Sequence, residues 1–159
     1  MKAFVLVGAP GSGKSTLATM YKVQESAVVV CGDNIREELY GDASVQGNWV
    51  AIHDRIEEQI AQAAERGLSV VLDNTHYLSS YRKESLTLLR SYGYDNVTAV
   101  VVNPSLAVCL ARNFQRKRNV PDYVIKRMHA KLQNSVQNIE AEGFTSVAHY
   151  DNSKPEIQS

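Results

Sequence analysis

Long apolar runs are missing from this chain. No stretch approaches the roughly 18 consecutive apolar residues that a membrane span needs, so no membrane partner is expected. The opening Met1-Lys2-Ala3-Phe4-Val5-Leu6-Val7 has one basic residue, and its apolar run stops at Gly8. That is short of the roughly 7–15 apolar residues at the heart of a signal peptide. Cysteine is scarce: only Cys31 and Cys109 are present, each in apolar surroundings. Two such thiols do not make a disulfide framework. With no secretory signal, they point to a reducing, cytoplasmic compartment. An excess of one charge is also lacking, because 17 basic and 17 acidic residues cancel to a net charge of 0. Bulk charge therefore predicts no nucleic-acid or membrane partner. There are no internal repeats and no low-complexity linker.

What is present is an ordinary globular composition: 159 residues, 44% hydrophobic and 21% charged. Length predicts one domain over residues 1–150, followed by a loose polar tail, 151–159, that carries Pro155. Short β-branched apolar runs occur at 4–7, 27–30, 69–72 and 97–102, with a weaker one at 145–149. Continuous apolar runs of this length suit strands covered on both faces. Segments with helical spacing separate them, at 15–23, 49–64, 80–92, 106–114 and 121–139. Prolines 104 and 121 stand where a first helical turn opens. Alternating strands and helices predict an α/β fold, a parallel sheet with helices on both faces. In such a fold ligands lie beyond the carboxyl ends of the strands.

At the end of the first apolar run stands Gly8-Ala9-Pro10-Gly11-Ser12-Gly13-Lys14-Ser15-Thr16, a full match to G-x-x-x-x-G-K-[ST]. Glycines 8, 11 and 13 let backbone amides turn inward around an anion, and the following helix adds partial positive charge. Lys14 is a compact cation for β- and γ-phosphates, and the Ser15 hydroxyl is placed for Mg²⁺. Asp73 closes the run Val70-Val71-Leu72 and fits the acid that orients Mg²⁺ or its water; the alternative is a capping or turn residue. His76 reads as a hydrogen-bonded loop residue without a chemical role.

A phosphate loop alone says only that a nucleotide binds. A guanine-reading Asn-Lys-x-Asp segment is replaced after 97–102 by Asn103-Pro104-Ser105. A motor or AAA-type ATPase would need a longer chain. A small phosphotransferase needs a donor site, an acceptor base and a basic lid. The base candidate is Asp33, which follows the second apolar run; the other reading makes it the N-cap of a helix over 34–40. Arg36 is three residues on, where it can pair with Asp33 or bind an acceptor phosphate through its planar fork.

Charge is unevenly spread. Residues 112–131 hold Arg112, Arg116, Lys117, Arg118, Lys126, Arg127 and Lys131 against Asp122 alone. Residues 33–66 hold eight acids against Arg36, Arg55 and Arg66. The basic block contains the lid candidate, placed at about 112–121, with Arg112 and Arg116 expected on one helical face. An arginine over the transferring phosphoryl group stabilises its spreading charge.

These pieces resemble the kinase domain of the phage-type polynucleotide 5′-kinases and the small P-loop kinases grouped with them. The resemblance runs from Met1 to about Leu132. It is carried by Gly8–Thr16, Gly32-Asp33-Asn34-Ile35-Arg36, Val70–Thr75, Arg112-Asn113-Phe114-Gln115-Arg116, and Val120-Pro121 leading into Val124–Met128. It implies a three-layer P-loop kinase fold whose five parallel strands run in the order 2-3-1-4-5. It further implies Lys14 and Ser15 on the donor phosphates and Mg²⁺, and Asp33 as general base. Arg36 would be the acceptor-side arginine, Arg116 the lid arginine on the transferring phosphate, and Arg112 the arginine toward adenine. At the third run the acid and Asn74 are offset by one position from the usual pattern. The acidic balance of 33–66 departs from a channel for a polyanion and suits a neutral or cationic acceptor. The expectation is an ATP- and Mg²⁺-dependent kinase. Its acceptor would be the 5′-hydroxyl of a nucleic-acid end or nucleotide. The alternatives are a small-molecule kinase acting on a nucleoside, antibiotic or nucleotide sugar, and, in another class, a non-catalytic ATP-binding switch.

Overall fold

The computed structural model describes residues 1–43, 47–116 and 120–150. In chain order its elements are β1 (Lys2–Val7), α1 (Lys14–Glu25), β2 (Val28–Cys31), α2 (Gly32–Tyr40), α3 (Trp49–Glu65), β3 (Val70–Asp73), α4 (Ser79–Ser91), β4 (Asn96–Val102), α5 (Leu106–Gln115), α6 (Asp122–Ser135), a 3-10 segment (Val136–Ala141) and β5 (Ser146–Tyr150). The five strands form one parallel sheet in the order β2-β3-β1-β4-β5, the order the resemblance implied. The tail at 151–159 and lid positions 117–119 lie outside the described residues.

The central strand explains why its run is apolar throughout. Ala3, Val5 and Val7 point into one hydrophobic layer, and Phe4 and Leu6 into the other. The first layer is closed by Ile35 of α2, by Ile52, Ile56 and Ile60 of α3, and by Leu86 and Leu89 of α4. The second is closed by Leu17, Ala18 and Tyr21 of α1, with Tyr21 stacked on Phe4 at 4.4 Å between ring centroids. Each fully buried Val or Leu contributes about 1.5–3 kcal/mol of transfer free energy. A third, smaller cluster of Ala9, Cys109 and Ile125 ties α5 and α6 to the loop after β1.

Two departures from the sequence reading have local causes. In the β2–β3 crossover the helix expected over 49–64 is preceded by α2, which the sequence offered only as an alternative over 34–40 and which starts at Gly32. Gly41, at φ +74°, ends α2, and the Asn48 side chain accepts from the amides of Val50 and Ala51 to start α3. The helix expected over 121–139 stops at Ser135. There the Ser135 carbonyl accepts from Arg82 Nη2 at 3.0 Å and its hydroxyl donates to the Tyr77 carbonyl at 2.8 Å. Asn138 then departs from helical geometry.

Candidate active site

The carboxyl edges of β1, β2 and β3 end together, with Cys31 beside Asp73 and Val5 beside Leu72. The loop from Gly8 to Gly13 rises from this edge. Gly11 and Gly13 have φ of +83° and +92°, a region that side chains disfavour. At Gly11 a Cβ would also lie 2.3 Å from the Cys109 carbonyl oxygen. No side chain caps α1, so its first amides stay available to an anion. Ser12 Oγ is buried in the same loop with no hydrogen-bond partner among the described residues. Arg112 Nη1 donates to the Ser12 carbonyl at 3.0 Å, which fixes the loop from the α5 side; burial holds the Arg112 pKa below its usual value.

β3 is the neighbour of β1, and Asp73, at its end, is 8% exposed. Ser15 Oγ donates to Asp73 Oδ2 at 3.2 Å. α4 is capped at Leu78, so Asp73 does not cap it. Asn74 faces the other way, and its Oδ1 accepts from the Gly32 amide at 3.1 Å. The offset of acid and amide in the sequence thus becomes a division of labour in space, one facing α1 and the other α2. Among the described residues no three His, Cys, Asp or Glu gather as a metal cage. The Ser15–Asp73 oxygen pair nonetheless fits Mg²⁺, a hard cation commonly held by one or two protein oxygens together with water and phosphate.

Asp33 lies at the same edge, on the second residue of α2. The helix begins at Gly32 and its N-cap is Cys31, so the N-cap reading of Asp33 does not hold. Its Oδ1 accepts from Arg36 Nη1 at 3.1 Å. Arg36 Nε is buried without a partner among the described residues, an unused donor beside the acid. β3 intervenes between β2 and β1, which sets those strands about 10 Å apart. Cys31, between the two acids, has its thiol pKa pushed up by burial and then by the Asp73 charge.

The lid differs from expectation. α5 ends at Gln115 and Arg116 is extended (φ −77°, ψ 149°), so Arg112 and Arg116 do not share a helical face. The residue that shapes this region is Asn113, 2% exposed. Its amide donates to the Val120 carbonyl at 2.6 Å and accepts from the Val120 amide at 3.0 Å, clasping the two ends of the segment between. Asn113 lies inside the Arg-Asn-x-x-Arg motif, but sequence reasoning gave weight only to the arginines.

Of a buried network behind the edge, the sequence reading held only His76. His76 Nδ1 bonds the Leu6 carbonyl at 2.8 Å and Nε2 bonds Ser85 Oγ at 2.9 Å, in keeping with a structural loop histidine. Burial lowers its pKa to about 4. Arg82, fully buried, donates to the His76 carbonyl, to Ser135 and to Glu142. Only its depth distinguishes Arg82 from other helical arginines, and sequence does not show depth. The acids of 33–66 are partly spent internally. Arg55 pairs with Glu38 and Glu58, and Glu57 accepts from the Tyr92 hydroxyl.

The family described as the AAA domain matches residues 4–135. The chain belongs to that family. Length had set AAA-type motors aside; membership in this family rests on the sequence match and does not require a motor's length. One curated relative of this AAA-domain chain is L-seryl-tRNA(Sec) kinase of Methanococcus maripaludis, 28% identical over 132 residues. That match takes in 80% of the chain and 51% of the relative, so the chain spans about half the relative's length. Among solved structures, the Pnkp1/Rnl/Hen1 RNA repair complex has a chain with TM-score 0.76 and 22% identity, covering 86% of this chain and 45% of that one. A gluconokinase from Sinorhizobium meliloti gives TM-score 0.58 and 22% identity, covering 99% and 87%. These likenesses establish the P-loop kinase fold.

Proposed function

We propose that the protein is an ATP-dependent phosphotransferase that moves the γ-phosphate to an alcohol hydroxyl, and that residues 1–150 form a single kinase domain. The observation that carries this reading is the shared strand edge: an anion cradle after β1, the Ser15–Asp73 pair beside it, and the Asp33–Arg36 pair on α2, directly after β2. The loop amides, Lys14 and Thr16 hold the donor phosphates. Ser15 and Asp73 hold Mg²⁺, which when bound neutralises charge on the β- and γ-oxygens. Asp33 accepts the acceptor's hydroxyl proton as the new oxygen–phosphorus bond forms and ADP departs. Arg36 directs its free donor to the acceptor, Arg116 approaches the transferring group, and Arg112 steadies the cradle from the adenine side.

The acceptor we assign is the 5′-hydroxyl of a nucleic-acid end or nucleotide. Support comes from the Asp-x-x-Arg and Arg-Asn-x-x-Arg spacings and from relatives whose names include a tRNA kinase and an RNA repair complex. A second reading, a small-molecule kinase, is favoured by the acids of α2 and α3 and by the likeness to a gluconokinase. Labelled ATP should be offered with a 5′-OH oligonucleotide, a nucleoside 3′-phosphate, free nucleosides and aminoglycosides. Label on the first two bears out the assignment, and label only on the last two gives the second reading. Transfer of label to water alone removes the phosphotransferase. Asp33→Asn is expected to abolish transfer with ATP affinity changed no more than a few fold; collapse of ATP binding would make Asp33 a structural or metal-side residue.

A further inference from the structure

The basic block at 112–131 splits in three dimensions. Arg112 turns to the phosphate loop, whereas Lys126, Arg127 and Lys131 are exposed on α6 and form no ion pair with any described residue. Positions 123, 127, 131 and 135 recur every four residues, so they run along one flank of the helix. That flank has direction. Ile125, on the inner side of α6, packs with Ala9 of the phosphate loop. At the other end Ser135 donates to the Tyr77 carbonyl, and the Tyr77 ring meets Tyr81 edge-on at 5.6 Å. His129 and Gln133 are engaged by Pro104 and Asn103 on the opposite flank, which leaves Arg127 and Lys131 outward. The stripe is bracketed by exposed rings, Tyr123 at 69% and Tyr81 at 44%. The Tyr81 phenol, held protonated chiefly by desolvation and then by Tyr77, also feels the Lys131 charge.

We infer that this flank of α6 is a track for single-stranded nucleic acid, with backbone phosphates on Arg127 and Lys131 and bases stacked on Tyr123 and Tyr81. The inference rests on the kinase reading and names where the rest of a polynucleotide acceptor lies. Exposed cations flanked by exposed aromatic rings suit a single strand, whose phosphates take the charges and whose bases stack on the rings. From Tyr123 to Lys131 the helix rises about 12 Å, room for a few nucleotides. The track also eases the charge conflict: the polyanion follows the cations of α6, and only its 5′ end has to meet Asp33 of α2.

The test is binding of a 3′-fluorescein single-stranded oligonucleotide with a 5′-hydroxyl to the intact protein, across a salt series. Arg127→Gln/Lys131→Gln should weaken binding tenfold or more. It should also reduce the slope of log affinity against log salt by about 1.4, since each lost phosphate contact removes about 0.7. Tyr81→Ala and Tyr123→Ala should each cost about fivefold or more. ATP affinity, the thermal midpoint and transfer to a nucleoside 3′-phosphate should remain at wild-type levels. An unchanged oligonucleotide affinity and slope in the double variant would overturn the track. So would an equal loss in the charge-matched control Lys22→Ala/Arg66→Ala, or dependence of anionic-vesicle binding, but not oligonucleotide binding, on Arg127 and Lys131. If no acceptor is phosphorylated yet the slope still falls, the kinase reading fails and the track stands.

Discussion

Arg82 and Glu142 form a two-pronged ion pair inside the protein, Nε to Oε1 at 2.7 Å and Nη2 to Oε2 at 2.6 Å, with side chains 0% and 5% exposed. The pair joins α4 to the segment that follows α6, and its remaining donors hold the His76 and Ser135 carbonyls.

Removing one partner strands the other in a dry site. Arg82→Ala should cost about 3–5 kcal/mol of unfolding free energy, read from urea denaturation. Arg82→Met/Glu142→Leu should cost less than Arg82→Ala, because no lone charge remains. A double variant weaker than the single would mean that the backbone carbonyls, not Glu142, are what Arg82 serves.

His76 makes stability depend on pH. Its folded pKa of about 4 lies below the unfolded value near 6.5. The unfolded chain therefore takes up the proton first, and stability is lost as pH falls from 6.5 toward 4. Between pH 7 and pH 4.5 this residue should remove about 2–3 kcal/mol. His76→Asn, which tolerates the φ of +48°, should be less stable at pH 7 but should lose less on acidification. Parallel denaturation curves at the two pH values measure both.

Two glycine substitutions separate strain from collision. Gly67, at φ +69°, has open space where a Cβ would go, so Gly67→Ala should cost about 1 kcal/mol or slightly more. Gly11→Ala adds a clash with the Cys109 carbonyl to the same kind of strain. It should cost more and should abolish nucleotide binding by equilibrium titration, whereas Gly67→Ala should leave binding unchanged.

Asp73 and Asn74 can be told apart by magnesium. Asp73→Asn keeps the shape and removes the charge that faces Ser15. It should raise the Mg²⁺ concentration needed for half-maximal transfer ten- to a hundredfold. Asn74→Ala should leave that midpoint in place and destabilise the start of α2, where it holds the Gly32 amide. Equal shifts from both substitutions would contradict the separation.

The fold was legible because β1 is buried on both faces and its neighbours share that pattern, which few other arrangements produce. The phosphate loop was legible because its chemistry depends on backbone freedom at fixed spacing. The end of α5 was not legible: nothing in Arg112–Arg116 breaks a helix, and the clasp of Asn113 on Val120 is a tertiary event. The first helix of the β2–β3 crossover was legible only as an alternative, because Ile35 and Leu39 are the only aliphatic residues of Gly32–Tyr40 that could set a helical period. Arg82 was invisible for a related reason, because its partner Glu142 is 60 residues away in sequence.

The corner after β3 has an evolutionary corollary. Asn74 holds the amide that opens α2, and the adjoining Thr75 carbonyl holds the Gly8 amide at 2.9 Å. The phosphate loop and α2 thus hang from consecutive residues of one bend. The stretch linking α2 to α3 can drift or lengthen without altering that separation, so a new substrate could be acquired there while the reacting groups keep their spacing.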